Sequence, residues 1–265
     1  SRTEEWKNFK TNSIKETSWK VVLDNSIKQD YLKKEQRILP NSIFFIDGNY
    51  SPEASSLKKE SDINIFSLSD YINKNPEFKS ILFSNPSDYA ESRLSGIKDK
   101  KPTYFISLNS LLSSGTVIEV EKGKNINETI NIIHSFSNTE AEIVINPYII
   151  IVCKEGSKAS FQEISHKVES WNNTLKEIFI RKDANLTISS LQERISTGIK
   201  TSSINCHIDE NAELNLKVLN RERSREDIRV FLNKENSTVD ISGIILSNNK
   251  DESDVFCKVT HIGKA

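Results

Sequence analysis

Residues Ile178–Ile188 read Ile-Phe-Ile-Arg-Lys-Asp-Ala-Asn-Leu-Thr-Ile, two short alternating apolar segments on either side of a polar turn at Asp183. The same pattern recurs around Gly156, Asn211 and Asn236, and a weaker copy begins at Gly123. Gly, Asp and Asn are the residues that best tolerate positive φ in tight turns. Consecutive turns lie 25 to 33 residues apart, a period typical of a solenoid.

The residues that flank these turns form columns when the copies are aligned. The columns before the turn are Ile118, Ile151, Ile178, Cys206, Val230 and Val120, Cys153, Ile180, Ile208, Leu232; those after it are Ile126, Ala159, Leu186, Leu214, Val239 and Glu128, Phe161, Ile188, Leu216, Ile241. All but Glu128 are apolar or small, and alternation places them on one face of each strand. The pattern predicts a mainly β chain: a right-handed parallel β-helix whose stacked coils bury a continuous core. An antiparallel sandwich with similar turns is the alternative.

Composition and charge exclude several functional classes. The net charge of −1 argues against bulk attraction to nucleic acid or to an anionic membrane. No apolar run is long enough to span a bilayer, and residues 1–10 do not resemble a signal peptide. Three cysteines without an export signal indicate a reducing compartment, so we expect a cytoplasmic protein. Cys153 and Cys206 fall two coils apart, too far for a disulfide.

The chain divides near residue 100. Residues 1–100 form a smaller helical and mixed α/β region, for which we predict a polar helix over about residues 1–20, anchored by Trp6, Phe9, Ile14 and Trp19. Strands are predicted at Lys20–Leu23, Ser42–Ile46 and Asp62–Phe66, a helix capped by Ser69 or Asp70, and helical spacing at Ser87–Leu94. Residues 101–265 form the β-helix core, opened by a helix over Thr103–Leu112. The core is expected to be incomplete at its C-terminal end, leaving an uncapped coil at Val255–Gly263.

Few side chains form patterns that could carry chemistry. Cys257 and His261 share a strand face, but two ligands are short of a zinc site, and a core role is favoured over a metal site. His207 is expected to point outward into solvent. Glu163 and Glu193 could project from neighbouring coils as the carboxylate pair of a sugar-cleaving β-helix, but no aromatic platform accompanies them.

A cluster of arginines lies near residue 225. Its members are Arg221, Arg223, Arg225 and Arg229, interleaved with Glu222, Glu226 and Asp227. Mixed signs at this density are typical of a solvated, self-paired face, with an interface as the functional alternative.

Several segments, in order, resemble one known family. They are Glu4–Lys7; Phe44–Gly48 with Tyr50; Phe105, Leu108, Asn109 and Gly115; Asn146, Pro147, Ile149–Val152, Gly156, Ala159 and Glu163; Ser224, Arg225, Asp227, Ile228, Val230 and Leu232; and Gly243 with Asp254–His261. Together they resemble the SufB/SufD family of iron–sulfur cluster assembly, and SufD more than SufB. One departure is that Asn220–Arg223 replaces the glycine pair usual before the Ser-Arg-x-Asp strand.

The resemblance implies a non-enzymatic scaffold subunit that acts with a SufB-like subunit and the SufC-like ATPase. It places the residues that dock SufC and the cluster-site histidine beyond Ala265. We therefore assign no catalytic residue and no metal ligand to this sequence, and leave its cofactor-binding residues unassigned. We expect no cofactor on this chain alone, with an iron–sulfur cluster only in the full complex.

Other expectations concern partners and alternative functions. A homodimer through the β-helix is a further expected association, while nucleic acid and membranes are not expected partners. The alternative functions are a carbohydrate-active β-helix enzyme and a structural solenoid. Export signals or outward clusters of acids and aromatics would favour these alternatives.

Overall fold

Fourteen parallel and antiparallel strand pairings build two long sheets in the computed structural model of the chain, which describes residues 12–21, 40–58, 62–80, 82, 104–137, 142–165, 170–192, 198–221, 223–247 and 252–263. The helices are α1 (Asn12–Glu16), α2 (Leu68–Lys74), a 3-10 helix (Pro76–Ser80) and α3 (Tyr104–Leu112). The strands are β1 (Lys20–Val21), β2 (Ser42–Ile46), β3 (Asn49–Ser51), β4 (Ile63–Ser67), β5 (Thr116–Val120), β6 (Ile130–Ser135), β7 (Ile143–Ile145), β8 (Tyr148–Cys153), β9 (Lys158–Ser165), β10 (Trp171–Ile180), β11 (Asn185–Gln192), β12 (Ile199–Ile208), β13 (Glu213–Arg221), β14 (Ser224–Leu232), β15 (Thr238–Leu246) and β16 (Ser253–His261).

From β8 to β16, successive strands alternate between the two sheets, and β1 and β7 also belong to the first sheet. The first sheet runs β16-β14-β12-β10-β8-β5-β4, and the second runs β15-β13-β11-β9-β6-β2-β3. All pairings from β5 to β16 are parallel, which confirms a β-solenoid of about four turns and excludes the antiparallel sandwich. The space enclosed by the two sheets is called the lumen below.

The predicted columns are observed as strand registers. Ile178 pairs with Ile151 on one side and with Cys206 on the other. Leu186 likewise lies between Ala159 and Leu214. One assignment was wrong: Phe161 pairs with Ile130 and not with Glu128. The first coil has two extra residues after its turn, and these move an apolar side chain into the lumen in place of the carboxylate.

The turns also stack as the repeat predicts. Asp183, Asn211 and Asn236 have φ values of 59°, 53° and 56°, and Gly156 has +69°. The amide of Asp183 donates to the carbonyl of Glu210 in the next coil at 3.0 Å, and Gly156 donates to Lys182 at 2.9 Å. Each turn therefore bonds its neighbour through the backbone, so the left-handed conformation is repeated in every coil.

The N-terminal elements close one end of the solenoid. Strand β4 pairs antiparallel with β5, and β2 pairs parallel with β6. The expected strand at Asp62–Phe66 begins one residue later, and α2 is capped by Ser67, whose side chain accepts from the amide of Asp70, and not by Ser69 or Asp70. Helix α3 confirms the expected helix at Thr103–Leu112 over its described residues, Tyr104–Leu112. Trp6, Phe9 and Ser87–Leu94 lie outside the described residues.

A second buried layer covers the outer face of the first sheet. Leu68, Tyr71 and Phe78 of the helical region pack on Leu175 and Phe179 of β10. Phe105 and Trp19 pack around Trp171 at the other end of that strand. Every residue of β10, β12 and β14 is consequently buried, whereas burial alternates along β9, β11 and β13. The first sheet is therefore buried on both faces at β10, β12 and β14, whereas the second is buried on one face at β9, β11 and β13.

Candidate functional site

The lumen is apolar beside the turns and polar at the far end of each coil. Beside the turns it is filled by the aliphatic columns around Ile178 and Leu186. Further along the same strand faces lie His134, Glu163, Lys176, Lys200 and Glu226, all at most 4% exposed. These five residues are called the lumenal charge cluster.

Glu163 is the centre of this cluster. Its carboxylate accepts a hydrogen bond from Lys176 Nζ, one from His134 Nε2 at 2.9 Å and one from Ser190 Oγ at 3.0 Å. The three donors come from β10, β6 and β11, so the contact links three coils and both sheets. Glu163 therefore points into the lumen, and the expectation that it projects outward was wrong.

The electrostatic environment keeps both Glu163 and Lys176 ionised. Burial alone would raise the pKa of Glu163, but the charge of Lys176 and the hydrogen bond from His134 outweigh it and hold that pKa well below its usual value of 4.5. Burial would lower the pKa of Lys176, yet the carboxylates of Glu163 and Glu226 raise it above 10.5. A buried lysine and a buried glutamate thus stabilise each other in their ionised forms.

A second ion pair lies further along the lumen. Lys200 Nζ is 3.7 Å from Glu226 Oε2, and both side chains are almost fully enclosed. The two lysines balance the two glutamates, so the cluster carries little net charge when His134 is neutral. Buried pairs of this kind are costly to break, since removing one partner leaves an uncompensated charge.

Alternation along the strands could have located these residues. Lys176 has the same parity as Ile178 and Ile180, and Glu163 has the same parity as Ala159 and Phe161. The inward columns predicted from the sequence include only the apolar positions, so they end before these polar residues. The lumenal charge cluster was therefore missed although the strand period alone assigns it to the lumen. Glu193 lies outside the described residues, so the supposed carboxylate pair has one member in the lumen and one undescribed.

The three cysteines occupy two environments. Cys153 and Cys206 are buried in the apolar part of the lumen, with β10 between their strands, and both are free thiols. Burial raises the pKa of each to about 12. Cys257 is exposed on β16, and burial together with the charge of Asp227 raises its pKa to a lesser extent. Within the residues described, no group of three or more His, Cys, Asp or Glu side chains is arranged to hold a metal ion.

Arg225 and Arg229 of the arginine cluster are buried and Arg221 and Arg223 are half-buried, which corrects the expected solvated face. Arg225 and Asp227 are 1% exposed, and they lie on the outward face of β14. Arg225 pairs with Asp254, and Arg229 Nε donates to Asp227 Oδ1 at 2.9 Å. Both guanidinium groups also lie over the ring of Phe256, at 5.7 and 5.4 Å from its centroid. The mixed signs are thus self-paired as expected, but inside the protein.

The end of the solenoid at β15 and β16 exposes apolar surface. These strands are the last in their sheets within the described part of the chain. Ile244, Ile245, Leu246 and Val259 are 39% to 58% exposed. Together they are called the exposed apolar edge. Ile244, Ile245 and Leu246 are consecutive on β15, whereas Val259 lies on β16 in the other sheet, nearer the turns. Single exposed aliphatic residues are common, but three in a row on the last described strand of a sheet are typical of an interaction surface.

Comparison with known families identifies the core. The model of the SufBD core domain, described as SUF system FeS cluster assembly, matches residues 116–265, which is more than half of the chain. The match begins at the first residue of β5 and covers every coil of the solenoid. No curated protein matches the chain. The helices of the described region include none long and apolar enough to cross a membrane.

Proposed function

Because the chain belongs to the SufBD core-domain family, whose role lies in iron–sulfur cluster assembly by the SUF system, we propose that it is a SufD-like, non-enzymatic scaffold subunit. In this role it acts in the cytoplasm with a SufB-like subunit and a SufC-like ATPase. The family match over the whole solenoid carries the proposal. It also agrees with the resemblance of the sequence to SufD more than to SufB.

The environment of the thiols supports a scaffold role for this chain. Cluster ligands are thiolates, and a thiol with a pKa of about 12 is protonated at neutral pH. Cys153 and Cys206 are therefore core residues and poor ligands, which leaves only Cys257 on the surface of the described region. We accordingly propose that the isolated chain binds no cluster and that assembly occurs on the complex.

The exposed apolar edge supports a protein partner at β15 and β16. Ile244 and Leu246 point outward on β15, while Val259 belongs to the inward column that continues from Val230. A partner that adds a strand to β15 would pair with it and cover Ile244 and Leu246. The SufB-like subunit is the proposed partner, and a second copy of this chain is the competing occupant.

Copurification tests the proposal. The tagged full-length protein would be coexpressed with the SufB-like and SufC-like subunits of the same organism, and complexes measured by size exclusion with light scattering. We expect one stable assembly containing all three chains. A chain that recovers neither subunit, or that forms only homodimers in their presence, would contradict the proposed function. Iron and sulfide analysis of the isolated chain should find less than stoichiometric amounts of both.

A further inference from the structure

Six buried polar atoms of four neighbouring lumenal side chains have no hydrogen-bond partner within the described part of the chain, and neither do His134 Nδ1 and Asn172 Nδ2 elsewhere in the lumen. The six are Gln192 Nε2, Ser202 Oγ, Asn220 Nδ2, Asn220 Oδ1, Glu226 Oε1 and Glu226 Oε2. Their four side chains are at most 2% exposed. Such atoms are rare in folded proteins, where buried polar groups are bonded to protein or to ordered water. A buried carboxylate without a donor is the most costly of these cases.

The six atoms belong to one contiguous region. Ser202 and Glu226 are directly paired residues of β12 and β14. Gln192 and Asn220 follow the paired residues Leu191 and Leu219 in β11 and β13, so they occupy neighbouring coils of the opposite sheet. By strand parity all four side chains point into the lumen at its polar end. Two facing rows of unbonded polar groups therefore line the same stretch of the interior.

The adjacent part of the lumen has an open position. Gly243 pairs with Val218 in an inward column, where a side chain would otherwise project. A Cβ atom built at Gly243 would meet only the Val218 carbonyl oxygen, at 3.4 Å. Gly243 is itself exposed on β15, so the lumen opens to solvent beside the polar rows. Space lined by polar groups is what distinguishes hydrated interiors from dry ones.

The mixture of donors and acceptors among the unbonded atoms indicates which kind of ligand this region would bind. The unbonded set contains acceptors, namely the Glu226 oxygens and Asn220 Oδ1, and donors, namely Gln192 Nε2 and Asn220 Nδ2. An anion would face the carboxylate of Glu226, and a cation would face the ammonium of Lys200. Water both donates and accepts. The Lys200–Glu226 separation of 3.7 Å is too long for a direct hydrogen bond, and one shared water molecule can hydrogen-bond to both groups at such a separation.

We propose that the polar end of the lumen is a binding site for a cluster of ordered water molecules, held by Gln192, Ser202, Asn220 and Glu226, that bridges Lys200 to Glu226. The buried charges are then satisfied by protein and water together. This site concerns the interior of the solenoid and is independent of which partners the chain binds. It also differs from the Glu163 centre, where the protein itself supplies the donors.

A high-resolution crystal structure of the full chain tests the site directly. We expect ordered water within hydrogen-bonding distance of the Glu226 carboxylate and of the Asn220 amide. An empty lumen with Glu226 bonded directly to Lys200 Nζ would overturn the proposal. So would a non-water ligand in the same density.

Counting internal water in solution provides a second test. Magnetic relaxation dispersion measures water molecules that remain in a protein for longer than nanoseconds. Asn220→Leu removes two of the six polar atoms and should reduce the count of long-lived water molecules. Thr187→Val, on the outward face of β11, is the control and should leave the count unchanged. Equal counts in the wild type and in Asn220→Leu would contradict the proposal, and circular dichroism establishes that each variant is folded.

Discussion

The ring of Phe179 lies face to face with the imidazole of His207 in the next coil, with centroids 5.0 Å apart and planes 8° apart. Phe231 continues the stack on the other side of His207 at 5.4 Å, and Phe78 meets Phe179 edge-on. His207 therefore points outward, as expected, but the expected contact with solvent is wrong because the outer face of the first sheet is covered. Burial, followed by the positive charge of Arg181, lowers the pKa of His207 to about 4.

This stack predicts an acid-sensitive contribution to stability. The pKa of His207 is depressed in the folded state, so the unfolded chain binds its proton first as the pH falls from 6.5 towards 4. The neutral imidazole thus contributes stability above pH 6.5 that is lost across this window, up to about 3 kcal/mol. Urea unfolding at several pH values should show the decline, and NMR titration should find His207 neutral until the pH approaches 4.

The variant His207→Phe provides the comparison for the first prediction. It keeps an aromatic ring between Phe179 and Phe231 but has no titrating group. Its free energy of unfolding should vary less than that of the wild type between pH 6.5 and 4. Parallel pH dependences of the two proteins would show that His207 is not the group responsible.

Substitutions at adjacent residues test the two-sided burial of β10. Ile180→Asp places a charge in the lumen and should unfold the protein, at a cost of ~3–5 kcal/mol. Phe179→Asp, which the repeat alone presents as a mild outward change, should also cost about 3 kcal/mol or more because the ring is 1% exposed. Thr187→Asp on the outer face of β11 is the control and should change the melting temperature little. A mild effect of Phe179→Asp would refute the covered outer face.

The repeat specifies the coils because each inward column is a local, alternating pattern that stacking repeats at fixed intervals. That logic identified the partners of Ile178 and Leu186 from spacing alone. The same spacing wrongly placed Glu128 beside Phe161. The first coil has two extra residues, and only the observed pairing of Ile130 with Phe161 reveals them. An insertion confined to one coil leaves the spacing of the other repeats unchanged, so their sequences do not reveal it.

The burial of Phe179, His207 and Arg225 could not be read from the repeat in the same way. Which outward face becomes covered depends on where the helical region docks, and that contact joins residues such as Phe78 and Phe179 that lie about a hundred positions apart. Charged residues at the end of a column are also conventionally read as solvated. Here Lys176 and Glu163 remain inside because each is the other's partner.

The Glu163–Lys176 contact should be pH dependent in a defined direction. The pKa of Glu163 is depressed in the folded state, so its stabilising contribution is present above about pH 4.5 and is lost as the pH falls below that value. Glu163→Gln should therefore cost ~3 kcal/mol at pH 7, and the difference from the wild type should narrow in acid. Glu155→Gln, which breaks the exposed Lys122 pair, is the matched control and should cost less than about 1 kcal/mol. A constant difference at all pH values would show that Glu163 is not ionised.

Thiol titration should separate the three cysteines. In the native protein at pH 8, a disulfide reagent such as DTNB should modify Cys257 alone, because burial and a pKa of about 12 protect Cys153 and Cys206. After denaturation all three thiols should react. Cys257→Ser should abolish the native reaction while leaving two thiols in the denatured protein. Rapid modification of two or three thiols in the folded wild type would mean that the apolar part of the lumen is accessible.

The exposed apolar edge should govern partner binding with little effect on the fold. Ile244 and Leu246 are 58% and 45% exposed, so the double substitution Ile244→Lys and Leu246→Lys removes few buried contacts. Its melting temperature should remain close to that of the wild type. Binding of the SufB-like subunit should weaken at least tenfold, because two ammonium groups would have to be buried or displaced in the interface.

The position of the substitution makes this last prediction specific. Leu111→Lys changes an aliphatic residue that is 82% exposed on α3, away from β15, and should leave both stability and binding unchanged. Isothermal titration calorimetry with the SufB-like subunit compares the three proteins, and light scattering reports self-association. If only homodimerisation is lost in the double variant, the edge serves a second copy of the chain. If the double variant binds the SufB-like subunit as tightly as the wild type and the Leu111→Lys variant do, the edge is not the partner surface.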